Sequence, residues 1–271
     1  MPAEHVPPDR TALNGSALAE AIIRPGGLWR AIAVTGQTGS TNADLLAQVA
    51  LAPEGSVLVA ETQTAGRGRL DRTWQSPPGA GLTFSMLLRP LAVPPARRGW
   101  LPLLTGVAVA AAVRAQADIP AGLKWPNDVL AGPRKLAGIL AEQSGQAIVV
   151  GVGLNVSTTR AELPVDTATS LLAEGAVTPS RAQLLAAILA EFERLYLAWA
   201  GGASPGDPEA SGLRQAYRQA SLTLGRPVRA ELPGGATLTG TAQDIDHDGR
   251  LVLTTPEGPH PLSAADIIHL R

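Results

Sequence analysis

Cysteine is absent from this 271-residue chain, which removes disulfides and thiolate metal sites and fits a reducing compartment. Charged residues amount to only 17% and nearly cancel, leaving a formal net charge of −1. Neither a disordered chain nor a general polyanion-binding surface fits that balance, whereas 45% hydrophobic residues suit an ordinary globular protein. No apolar run is long enough to span a bilayer; the most apolar stretch, Leu101 to Val113, reads as a buried helix. Met1 to Arg10 carry charge and proline where an export signal needs an apolar core, so a cytoplasmic protein without a membrane role is expected. The four histidines, His5, His247, His260 and His269, show no paired ligand spacing. No metal site is readable, and they are expected to be bland surface residues.

Lysine is nearly missing as well. Of 22 basic residues only Lys124 and Lys135 are lysines, and both fall in the short stretch Lys124-Trp125-Pro126-Asn127-Asp128 to Lys135. In a chain that uses arginine everywhere else, a retained ammonium points to a position needing a compact point charge or a titratable amine.

The length suits one large domain or a large and a small one. Residues 1–28 read as an extension with one brief helical pattern near Ser16 to Ile23. Residues 29–221 read as α+β, a mixed sheet packed with helices. Strands are expected at Ser56–Glu61, Leu82–Leu88, Leu123–Trp125, Lys135–Glu142 and Ala147–Val156. Helices are expected after Ser40-Thr41-Asn42, at Leu101–Gln116, at Ser180–Ala200 and in a shorter segment ending near Ala220. From 222 to 271, short β-rich runs between Pro233-Gly234-Gly235, Asp248-Gly249 and Glu257-Gly258 read as hairpins of a small β-barrel.

Within that frame, Gly66-Arg67-Gly68-Arg69-Leu70-Asp71-Arg72-Thr73-Trp74 alternates glycine with arginine after a strand. Backbone amides can there approach an anion while guanidinium groups neutralise it. Gly36 to Thr41 lacks the ending of a P-loop, and Gly151-Val152-Gly153-Leu154-Asn155 lacks the third glycine of a dinucleotide fingerprint. Close packing of a central strand explains the latter equally well. No Ser-His-Asp arrangement is readable. What remains is a set for positioning anions, suited to bringing two negatively charged reactants together.

Five segments in register resemble the biotin protein ligases: Gln37 to Asn42, Gly66 to Arg69 with Trp74, Lys124 to Asp128, Lys135 to Leu140, and Gly151 to Asn155. The resemblance runs from about residue 30 to the C-terminus and looks closest to the bacterial single-function members. It implies a class II synthetase-like core with an SH3-like C-terminal barrel. It also implies a two-step reaction: biotin and ATP give biotinyl-5′-AMP and pyrophosphate, and a lysine of a biotin carboxyl carrier protein then takes the biotinyl group. Carried over residue by residue, it assigns Ser40, Thr41, Asn42, Gln63, Gly66, Arg67, Gly68, Arg69, Lys135 and Gly138 to biotin. It assigns Arg67, Arg69, Arg72, Trp74, Asn127, Lys135 and Asn155 to the adenylate. Lys135 and Arg69 would act at the reacting carboxyl and phosphate, with Asp128 and Lys124 near the acceptor amine; for Asp128 a turn-capping role is an equal reading. ATP implies Mg²⁺ held mostly through phosphates.

Other readings stay open: a lipoate-type ligase, a nucleic-acid-binding module, or a sensor that binds biotinyl-AMP without transferring it. Fewer than forty residues precede Ser40, too few for the DNA-binding domain of bifunctional members, so no operator binding is expected. One departure is Asp71 where the family pattern has glycine. An added negative charge and a less permissive backbone are expected to slow loop closure or to weaken retention of the intermediate. Replacing Asp71 by glycine should therefore slow adenylate dissociation; an unchanged rate in a chase experiment would count against that role.

Overall fold

The structure, a computed structural model, describes residues 10–70, 72–176 and 180–270. Asp71 and His5 lie outside them, so the expectations attached to those two residues are not addressed by it. Helix α1 (Gly15–Ile22) is capped by the Asn14 side chain and leads into β1 (Ala31–Thr35). Helix α2 (Thr41–Ala47) starts at Ser40, whose hydroxyl accepts from the Ala43 amide. Strands β2 (Ser56–Ala60) and β3 (Gly81–Leu88) flank the long Gly- and Arg-rich loop. Helix α3 (Trp100–Ala117) is followed by β4 (Ala121–Lys124), β5 (Asp128–Ala131), β6 (Arg134–Ser144) and β7 (Ala147–Asn155). Helices α4 (Arg181–Gly201) and α5 (Leu213–Ala220) precede five strands, β8 (Pro227–Glu231), β9 (Thr237–Ile245), β10 (Leu251–Thr255), β11 (Gly258–Leu262) and β12 (Asp266–His269).

The first seven strands form one mixed sheet ordered β1-β2-β3-β7-β6-β5-β4, in which only β1 and β2 run parallel. Strand β7 is central and apolar on both faces, as its sequence suggested, because α3 covers one side of the sheet. Two strands, β1 and β5, escaped the sequence reading. The four residues of β5 follow directly on the Pro126-Asn127 turn, and a run that short carries no period of its own. Pairing with β4 and β6 makes it a strand.

By length and composition the helical stretch Pro95–Ala117 could cross a membrane, but 72% of that window is buried in the fold. It is a core helix, packed on the sheet and against α4 and α5. The last five strands form an antiparallel sheet ordered β11-β10-β9-β8-β12. Two buried indoles dock it onto the larger sheet. Trp100 Nε1 donates to the His247 carbonyl at 2.9 Å, and Trp125 Nε1 to the Gly249 carbonyl at 3.2 Å. Gly249 has φ +81°, and a Cβ there would press on the Gly99 backbone at 3.0 Å, so the turn can approach α3 only with glycine.

The histidines are less bland than expected. His260 and His269 are half-buried and hydrogen-bonded, whereas His247 is exposed and engages through its carbonyl. His269 Nε2 lies 3.1 Å from Thr223 Oγ1, which also accepts from the Trp125 amide at 3.3 Å. Burial, then the charges of Lys124 and Arg226, pushes the His269 pKa down from its usual value.

Two outcomes are expected. Arg181 is buried, paired with Glu61 at 2.7 Å and donating to the carbonyls of Gly81 and Thr11. Arg181→Ala strands the Glu61 carboxylate and should cost about 3–5 kcal/mol in denaturant unfolding. His269 takes up a proton less readily folded than unfolded. Its contribution to stability is therefore complete above an unfolded pKa of about 6.5 and is lost as pH falls through the lower folded value. Melting temperatures between about pH 7.5 and 5, above the range where carboxylates titrate, should fall more steeply for the native protein than for His269→Gln.

Candidate active site

One face of the sheet, the loop after β2 and the edge of the C-terminal sheet enclose a cavity of about 330 Å³. Its floor is glycine. Gly138 of β6 and Gly153 of β7 are cross-strand partners, and the Trp74 indole lies over both of them. A Cβ on Gly153 would collide with the ring, and one on Gly138 would come within 3.3 Å of it. Gly151 is needed for a similar reason, because a Cβ there would collide with the Asn42 amide. The close-packing reading of these glycines therefore holds, but what packs on them comes from cavity-lining residues.

A buried polar network orients one wall. Gln63 Oε1 accepts from the Thr41 amide at 2.8 Å and from Thr41 Oγ1 at 3.1 Å. The Ser85 hydroxyl lies 2.7 Å from Thr41 Oγ1 and 2.6 Å from Asn42 Oδ1. Asn42 Nδ2 donates to the Leu140 carbonyl at 3.1 Å and to Glu142 Oε2 at 2.7 Å. With every partner assigned, the Asn42 amide has one orientation, and Ser40, Thr41 and Gln63 line the cavity beside it.

The Arg loop is a tight hairpin. The Trp74 amide donates to the Gly66 carbonyl at 2.9 Å, the Gly68 amide to the Arg72 carbonyl at 2.6 Å, and the Arg72 amide to the Arg69 carbonyl at 3.2 Å. Gly66 is buried below the hairpin and does not line the cavity; a Cβ there would meet the Trp74 carbonyl at 2.5 Å. Left-handed backbone falls on Leu70, with φ 53°, a conformation costing a bulky residue about 1–2 kcal/mol.

From this hairpin Arg67, Gly68, Arg69, Arg72 and Trp74 reach the cavity, and Lys124, Asn127, Asp128, Lys135 and Gly138 face them from β4 to β6. Each cation has an internal partner or neighbour. Lys135 Nζ lies 2.6 Å from Asp128 Oδ1, Arg67 lies 3.6 Å from Glu142, and Arg72 pairs with Asp266. Arg69 Nη1 donates to Asn127 Oδ1 at 3.3 Å and to the Ala265 carbonyl at 3.4 Å. Burial lowers the Arg69 pKa, opposed by the charges of Asp266 and Asp128, and Arg72 adds to the lowering. Lys124 sits opposite Asp128 in the β4–β5 pairing. Trp74 Nε1 is buried without a hydrogen-bond partner among the described residues.

Asn155 is buried at the end of β7, where its Nδ2 donates to the Thr169 carbonyl at 2.9 Å, and it is not among the residues lining the cavity. There it braces the segment whose Thr167 and Thr169 hydrogen-bond the Lys135 backbone. Conversely, Ser85, Glu142, Gly151, Gly153 and Asp266 belong to the site or its walls and were not singled out for it. The glycines carried a signal, two interruptions of an apolar strand. Ser85, Glu142 and Asp266 carried none, since only folding brings them near the Arg hairpin and Asn42. Chemically the cavity pairs an apolar wall, the Trp74 indole seated on the glycines, with a ring of cations, which suits a ligand that is apolar at one end and anionic at the other.

Comparison with known proteins agrees with that chemistry. Residues 33–157 match the Biotin/lipoate A/B protein ligase family, and residues 223–270 match the Biotin protein ligase C terminal domain. The chain is 44% identical to the biotin–[acetyl-CoA-carboxylase] ligase of Mycobacterium tuberculosis over 97% of both chains. It is 36% identical to the bifunctional ligase/repressor BirA of Bacillus spizizenii, over 80% of this chain and 66% of that one. In three dimensions it resembles the biotin protein ligase of Aquifex aeolicus solved in complex with biotin and ATP (TM-score 0.75, 28% identity, 89% of this chain and 98% of that one). On fold, cavity and near-full-length sequence identity together, the chain belongs to the biotin protein ligases.

Proposed function

We propose that the protein activates biotin with ATP and transfers it to a lysine of the biotin carboxyl carrier protein of acetyl-CoA carboxylase. The observation that carries this reading is the convergence of Lys124, Lys135, Arg67, Arg69 and Arg72 on a cavity walled by the Trp74 indole, which the glycines of β6 and β7 seat. The bicyclic end of biotin would occupy the cavity beside Ser40, Thr41 and Gln63, where a buried ureido ring finds both donors and acceptors. Its carboxylate would point toward Lys135. In the first step a carboxylate oxygen attacks the α-phosphorus and pyrophosphate leaves, with charge on the phosphoryl oxygens met by Lys135, Arg69 and Arg67. In the second, the neutral amine of the acceptor lysine attacks the acyl carbon and AMP leaves.

A free lysine has a pKa of about 10.4, so the amine must shed a proton before attack. Asp128 would orient that ammonium and receive the proton once Lys135 turns from it to the phosphate; its contact with Lys135 supports this reading. Lys124, across the β4–β5 pairing, would help balance the charge of AMP as it leaves. Trp74 would cover the apolar ligand surface, and Asn127 would meet the adenylate from the opposite wall. Among the described residues no cluster of three His, Asp or Glu is built to hold a metal. Mg²⁺ is inferred to arrive on the triphosphate, with a cavity carboxylate at most completing its shell. A cytoplasmic location follows from the carrier it would serve.

ATP–pyrophosphate exchange on the purified protein tests the reading. Exchange is expected with biotin and not with lipoate, and Lys135→Ala should lower it about 10²–10³-fold without unfolding the chain. Exchange with lipoate alone would move the assignment to the sister activity, and none with either acid would leave a binding role.

A further inference from the structure

Asp266 of β12 stands directly opposite Glu231 of β8, and both line the cavity. Like charges facing each other across neighbouring strands repel, so each carboxylate calls for a cation. Glu231 takes one from its own strand, the Arg229 guanidinium at 3.2 Å. Asp266 takes one from the hairpin across the cavity, Arg72, whose side chain is otherwise 64% exposed. One residue earlier, the Ala265 carbonyl accepts from Arg69 Nη1 at 3.4 Å, and the Asp266 charge offsets part of what burial costs that guanidinium.

The end of the C-terminal sheet thus grips both arginines that flank the hairpin tip. Between them, Leu70 is 62% exposed and carries left-handed backbone. We propose that Asp266 is a positioning residue for retention of the acyl-adenylate, holding Arg72 so that the Arg hairpin stays closed across the cavity mouth until the acceptor amine arrives. It makes and breaks no bond; it acts through Arg72 and Arg69. The inference rests on the ligase reading above.

The test is a chase. The full-length protein is loaded with biotin and ATP, unlabelled adenylate is added in excess, and release of biotinyl-5′-AMP is timed. Asp266→Asn should release the intermediate roughly three- to tenfold faster, as expected for a screened charge pair at a rim. Asp266→Glu should lie close to the native rate. In an Arg72→Ala background the Asp266→Asn change should add nothing, whereas a purely structural role in the sheet would add in full. Asp266→Ser supplies a second neutral variant, with folding checked by circular dichroism. Equal release from native and neutral variants, or additive effects in the double variant, would overturn the proposal. A native protein that forms no adenylate would instead count against the ligase reading itself.

Discussion

Five cationic side chains converge on one cavity, and their mutual repulsion has to be met before any ligand arrives. The protein meets it with its own groups. Asp128 takes Lys135, Glu142 takes Arg67, Asp266 takes Arg72, and Asn127 with the Ala265 carbonyl takes Arg69. These partners come from β5, β6, the end of the Pro126-Asn127 turn and the C-terminal sheet, so the site exists only when all of these elements are packed together. An incoming carboxylate or phosphate competes with groups already in place, which favours exchange of partners over large rearrangement.

The same constraint explains why the small C-terminal sheet is docked so firmly. Trp100 and Trp125 donate to the β9–β10 turn, and Gly249 lets that turn meet the start of α3. A loosely tethered module would let the Ala265–Asp266 edge drift from the hairpin, and the two arginines would lose their outer partners. The larger fold supports the anchored cations with a mostly buried α3 behind a central β7. Conformational tension is left at Leu70, in the hairpin that borders the cavity.

Much of the architecture could be read from local pattern. The Ser40 start of α2, the apolar β7 and the long α4 all announce themselves through short-range chemistry that tertiary contacts reinforce. Strand β5 did not, because four residues beside a proline turn have no period to detect. Nor did the half-buried environment of His269, which depends on Thr223, remote in sequence. Among site residues, the Arg hairpin stood out by its alternation of glycine with arginine, and both lysines because the chain otherwise uses arginine. Asn155 stood in a recognisable segment, but that its Nδ2 donates to the Thr169 carbonyl could not be read from it.

By itself, then, the sequence determined which chemical groups were available and what they suit: anion-positioning cations, glycines that admit close approach, and no thiol. Tertiary structure alone decided their pairing. Whether Asp128 neutralises Lys135 or caps a turn, whether Glu142 orients Asn42, and whether Asp266 reaches Arg72 all depend on groups far apart in sequence meeting within a few ångströms. Local propensity acts over a handful of residues, whereas charge pairing and burial are set by whatever the packed sheet brings into range.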